Sequence, residues 1–343
     1  MKINIKILVF SILAFSCTTP SEKSIYKDAI IQFSDKNLKS ELTLKGEIIK
    51  NISDSLIRPT TLLLIDQDIL AITDIQSKNV FHLVGLPNYK YLGNFGKKGF
   101  GPGEIEVPWK LFQSGIGIFG IYDAEQKKTV EFSIDSILIN NSYLNEIKLG
   151  SDVNSNSVAI KNKKLFFTNS NNNNYSLFSK DLDTENKKSY GKFPDFQNYY
   201  PQIPKAELGE IIGFTKLINY DDIFALSYYN VPLIEIFNYK SNDWISISGP
   251  DPLPVLPLLG KNIYYGSICI TERFIYALYY GRDDTFENPS KTIYVFSHNG
   301  TFEKKIILET GIFDLTVLND QLIFGLTRNI EEFEYALLKF SLI

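Results

Sequence analysis

The chain has 343 residues, of which 44% are hydrophobic, 22% charged and 14% aromatic, with a formal net charge of -4. That balance can bury a large core, and the charge is too mild to mark a nucleic-acid or polyanion binder, so that class is excluded. The abundance of Phe (25) and Tyr (20) beside a single Met favours strands over helices, while length alone does not decide between one domain and two.

The amino terminus reads as a processed signal. Residues 1–6 carry two lysines, residues 7–15 are apolar, and Ala14-Phe15-Ser16-Cys17 follows. Roughly nine apolar residues cannot cross a bilayer core that needs about twenty, so residues 1–16 are expected to be a signal peptide and not a membrane span. With cysteine at the cut the stretch resembles a bacterial lipobox, which implies acylation of Cys17 and a membrane attachment through the N-terminal lipid only. An ordinary secretory signal with a chance cysteine is the alternative. If Cys17 is acylated, Cys269 has no intramolecular disulfide partner. Its setting, Ser267-Ile268-Cys269-Ile270, is strand-like and suits a buried inert thiol. Residues 17–40 form a tether and lead-in.

Strands and turns then continue nearly to the end. Apolar runs of four to eight residues alternate with Asn, Asp, Gly, Ser and Lys clusters, and only Ala29-Ile30-Ile31 and residues 205–212 could hold short helices. Leu70-Ala71-Ile72-Thr73-Asp74, Ile118-Phe119-Gly120-Ile121-Tyr122-Asp123, Leu165-Phe166-Phe167-Thr168-Asn169, Ile223-Phe224-Ala225-Leu226-Ser227, Ile275-Tyr276-Ala277-Leu278-Tyr279 and Leu322-Ile323-Phe324-Gly325-Leu326 resemble one another. They recur roughly every 47 to 58 residues, within the range of propeller blades. The first unit predicts strands over 60–65, 69–73, 79–84 and 89–94. The last unit lacks an outer strand beside 335–342, and residues 41–49 are free to supply it. Residues 41–343 are therefore predicted to be all-β, a six-bladed β-propeller closed by an N-terminal strand, which leaves no open seam.

Between the first two units lies Phe95-Gly96-Lys97-Lys98-Gly99-Phe100-Gly101-Pro102-Gly103-Glu104, whose glycines and proline suit a tight multiple turn. A phosphate cradle would need a helix to start here, and Ile105-Glu106-Val107-Pro108-Trp109 carries no helix signal, so a structural corner is the expectation. This loop, with the lipobox-like start and the blade period, resembles the TolB-like six-bladed propeller lipoproteins of Gram-negative bacteria. The resemblance implies a periplasmic or surface-exposed binding protein, lipid-anchored in the cell envelope. Ile72-Thr73-Asp74 and Ile121-Tyr122-Asp123, each ahead of a polar hairpin, are similar to NHL-type blades.

Meander topology puts the blade-to-blade connections and the turns between second and third strands on one face. The long segments 95–108, 194–213, 248–265 and 281–291 all belong there, and long loops on a rigid scaffold are where binding concentrates. The candidate ligand-binding residues are Lys97, Glu104, Trp109, Tyr200, Tyr265, Arg282 and Asp284, aromatic faces and charges suited to an envelope protein, peptide or carbohydrate. No nucleic-acid partner and no cofactor are expected.

Catalysis has little support. His82 and His298 are isolated on strands, and neither a Gly-x-Ser-x-Gly elbow nor a His-Glu-x-x-His motif occurs. The alternative function is a metal-dependent hydrolase or lyase in the axial channel, with Glu104, Asn154, Asn156, Asp222 and Asp284 as oxygen donors. The asparagine-rich 169–174 suits a solvated hairpin tip, and the proline-rich 250–257 a stiff extended segment that could cover the mouth of the ring.

Overall fold

A computed structural model of the chain describes residues 30–342, apart from 39, 87, 152, 154, 170–173, 284–287 and 330–333. The expected signal peptide and Cys17 lie outside the described residues. The described strands form six sheets, each built on an antiparallel meander. The first blade comprises Pro59–Ile65, Ile69–Asp74, Phe81–Gly85 and Lys90–Phe95, each within two residues of the predicted strands. The inner strands of blades two to six are Pro108–Gly115, Val158–Lys161, Thr215–Tyr220, Asn262–Ile270 and Asp314–Leu318. Each inner strand touches the next, and the sixth returns to the first, closing the ring around a central axis.

The apolar runs that repeat in the sequence are the second strands. They are covered on both faces by neighbouring blades, which is why they read as continuous apolar runs and not as alternation. Leu70, Ala71 and Ile72, Phe119 and Ile121, and Phe224, Ala225 and Leu226 are all enclosed. Between blades one and two, Phe81 meets Phe119 and Phe132 edge-on at 5.2 and 5.1 Å. Enclosing each such ring stabilises the fold by roughly 1.5–3 kcal/mol.

Asp74 and Asp123 end the second strands of blades one and two and play the same part in each. Asp74 accepts the amides of Gln76 and Ser77 in its own hairpin, and those of Ile57 and Arg58 in the chain entering the blade. Asp123 accepts the Glu125 and Gln126 amides and, from the entering chain, Glu106 N at 2.7 Å. The NHL-like aspartates thus tie a hairpin to a blade entrance on the loop-rich face.

Ring closure follows the prediction in principle and corrects it in detail. Glu47–Ile48 is the fourth strand of the sixth blade, antiparallel to Glu334–Ser341 with Ile48 opposite Leu338. Glu41–Leu44 instead runs parallel to Phe302–Ile312 as a fifth strand of blade five. Ile30–Gln32, read as a possible helix, is a strand parallel to Asp243–Ser248 of blade four. A single short segment therefore stitches three successive blades. Lys205–Ile212 is helical as expected. The helix Ile134–Asn140, unforeseen because its Ile and Leu content suits a strand, joins the third and fourth strands of blade two and buries Ile137.

Candidate functional site

The glycine-rich loop is a corner clamped onto blade two. Gly101 N donates to Glu104 Oε2 at 2.9 Å, and a side chain at Gly99 would strike that carboxylate. Gly103 has φ +69° and packs against the Tyr143 ring, so only glycine fits it. Lys128 donates to Gly101 O and to Glu146 Oε2, which also accepts the Gly103 amide at 2.8 Å. The loop therefore spends its backbone and Glu104 on itself and blade two, and Lys98 Nζ ties it to Ile75 O of blade one at 2.9 Å, as a structural corner does.

A cavity of about 600 Å³ occupies the axis and is lined by all six inner strands. Asp66, Ile116, Asn162, Asp221, Arg273 and Asp320 stand at its mouth, on hairpins joining first and second strands. It therefore opens on the face opposite the long loops, so this cavity and the loop-rich face are separate.

Lysine and aspartate form the polar heart of the axis. Asp314 Oδ1 accepts Lys216 Nζ and Ser267 Oγ, each at 2.5 Å, and Oδ2 accepts the Leu62 amide at 2.6 Å. Lys216 also donates to Ser267 at 2.9 Å. Lys110 lines the cavity at 7% exposure. Burial, and then the charge of Lys216, push its ammonium down to about 7. Burial pushes the nearby Cys269 thiol up to about 11, which keeps it protonated and unreactive near neutrality. At the mouth, Arg273 pairs with Asp320 at 3.0 Å, and Lys161 with Asp222 at 2.9 Å.

The sequence profile of the TolB-like 6-blade propeller-like family matches residues 32–320. The chain belongs to this family. Its TolB-like propeller superposes on a structure described as an exported protein of Bacteroides fragilis, with a TM-score of 0.56 and 12% identity, over 89% of this chain and 99% of that one. A member of the DUF4221 family from Bacteroides vulgatus matches with a TM-score of 0.55 and 10% identity, over 84% of this chain and 93% of that one. At such identities the likeness shows the fold alone. No curated protein matches significantly.

The TolB-like propeller does not gather the sequence-predicted residues into one site. Trp109 begins the inner strand of blade two, 44% exposed, and packs edge-on against Phe214 at 6.5 Å. Lys97 is exposed on the glycine loop, while Glu104 caps its turn. Tyr200 and Tyr265 are enclosed, with their hydroxyls donating to Pro254 O and Gly249 O at 2.6 Å. Both therefore hold loops in place and present no face to solvent. Arg282 lies on the strand Phe274–Asp283, opposite Ile263, and Asp284 lies outside the described residues.

Of the proposed oxygen donors, Glu104 sits on the loop-rich face and Asp222 in a hairpin on the other, so these two do not meet. Asn154 and Asp284 lie outside the described residues. Among the described residues no group of three or more His, Cys, Asp or Glu side chains could hold a metal ion, and no helix is long and apolar enough to cross a membrane. His82 is packed, its Nδ1 2.8 Å from Tyr91 Oη. The proline-rich segment packs Leu253 against the core of blade four and does not line the cavity.

Lys110, Lys216 and Asp314 were not singled out from the sequence. One signal for them exists: each is a charged residue at the start of a blade's first strand, close behind an aromatic, in Trp109-Lys110, Phe214-Thr215-Lys216 and Phe313-Asp314.

Proposed function

We propose that this propeller is an exported, lipid-anchored binding protein of the cell envelope, whose peptide or carbohydrate ligand enters the axial cavity from the hairpin face. The observation that carries the reading is the cavity: its volume falls within the range of small-ligand sites, and a closed ring of six inner strands holds its walls rigidly. The lysine-bearing apolar start of the chain and Cys17 support export and anchoring. Asn219 lines the cavity and is partly exposed on the inner strand of blade four, so Asn219→Trp should obstruct the entrance without disturbing the core. Native mass spectrometry of protein purified from envelope extract tests this. A bound species retained by the wild type and lost from Asn219→Trp supports the reading, and equal retention by both refutes it. Cys17→Ser should shift the protein from the membrane fraction to the soluble fraction.

The exposed indole of Trp109 favours a second reading, in which a protein partner docks on the loop-rich face. Capture of a defined partner that survives Asn219→Trp and fails in Trp109→Ala would select it.

A further inference from the structure

We propose that the axial cavity receives an anionic group of its ligand, a carboxylate or a phosphate, on the ammonium of Lys110. This rests on the cavity being the ligand site and adds the chemical class of what enters it.

Lys110 is enclosed at the cavity wall, and its ammonium makes no hydrogen bond or ion pair among the described residues. It differs in this from the other cations lining the cavity, because Lys161 and Arg273 both hold carboxylates. The nearest carboxylate cannot serve it. Asp314 is already engaged by Lys216, Ser267 and the Leu62 amide.

The groups facing Lys110 can be named blade by blade. Blade four offers Lys216, blade six Asp314 and blade five Cys269. Blades one and three offer apolar wall from Leu63 and Ala159. The heart of the axis thus holds two ammonium groups against one carboxylate. An enclosed cation without a counter-ion is unfavourable until an acceptor arrives, and an anion supplies negative charge and acceptor atoms together.

Charge state gives the inference a signature. With its ammonium held near 7, Lys110 is partly neutral at physiological pH, and an arriving anion draws a proton from solvent to recharge it. Binding is then strongest below neutrality and weakens as pH rises.

The test titrates the intact protein with inorganic phosphate and with acetate by calorimetry, below and above neutrality, in two buffers of different ionisation enthalpy. Saturable binding is expected, with proton uptake that grows above neutrality. Affinity should fall by about tenfold or more in Lys110→Met and survive in Lys110→Arg. Competitive acetylation of wild-type Lys110, read by mass spectrometry, should slow when the binding anion is saturating, and this readout needs no variant. Binding of phosphate alone assigns a phosphate-bearing ligand, and binding of acetate alone a carboxylate. Equal affinity in wild type and Lys110→Met, or no protection of Lys110 by either anion, overturns the inference. A native ligand lost from Asn219→Trp but kept by Lys110→Met sinks this inference alone and leaves the cavity reading standing.

Discussion

Lys216 of the fourth blade meets Asp314 of the sixth at 2.5 Å, with Ser267 of the fifth bonded to both. With the Leu62 amide of the first blade on the same carboxylate, four inner strands are joined at the axis by one group, which is itself almost wholly enclosed.

Removing that carboxylate leaves two enclosed ammonium groups with no counter-charge. Asp314→Asn is expected to destabilise the fold by about 3 kcal/mol or more, in line with breaking one side of a buried ion pair. Adding Lys216→Met should recover part of the loss. Urea denaturation of the single and double variants measures both.

Acid should release the Asp74 clamp. Burial by itself would raise this carboxyl, but the His82 ring at 3.5 Å and the Ile57, Arg58 and Gln76 amides outweigh it and hold the group at about 2. The stability it contributes is therefore present above its ordinary value of 3.8 and lost as pH falls through about 2. Denaturation of wild type and Asp74→Asn over this range should show the gap between them closing towards the acid end.

Glu235 carries the opposite sign. It is enclosed in blade four, accepting Tyr228 Oη at 2.6 Å and Trp244 Nε1 at 3.1 Å. Burial pushes its carboxyl from 4.5 up to about 7, against the pull of these bonds. The folded chain thus keeps a proton that the unfolded chain gives up between those values, so this contribution is full below 4.5 and lost as pH rises through about 7. Glu235→Gln should flatten that part of the melting-temperature profile across the same range.

The propeller was legible because its second strands are covered on both faces, which prints unbroken apolar runs such as Leu70-Ala71-Ile72 at a blade's spacing. The added strands were less so. Glu41–Leu44 and Ile30–Gln32 join their sheets in parallel, without a hairpin to mark the partner, and the edge each one takes is set only by the assembled ring. Trp109 stood where an exposed aromatic was expected. Tyr200 and Tyr265 did not, because a tyrosine beside a loop looks the same in sequence whether its hydroxyl meets water or a carbonyl. Lys110 was illegible for a related reason: its burial is produced by five other blades, none adjacent to it in pattern except through the fold.

The seam of the sixth blade offers a packing test. Ile49 N donates to Leu337 O at 2.9 Å, and Ile52 beside it is fully enclosed, whereas Ile48 is 62% exposed. Ile52→Ala should cost about 3 kcal/mol and Ile48→Ala less than about 1 kcal/mol, read by chemical denaturation.

The stitching of blades four, five and six by residues 30–48 also fixes an order of events in synthesis. Each of the three strands finds its partner more than two hundred residues further along the chain. A polypeptide that emerges from the ribosome amino end first must leave these edges unsatisfied until the carboxyl-terminal blades arrive, and such distant pairing is slow. The last blades to emerge are the ones that lock down the first strands, so a chain cut short stays open and exposed to proteases.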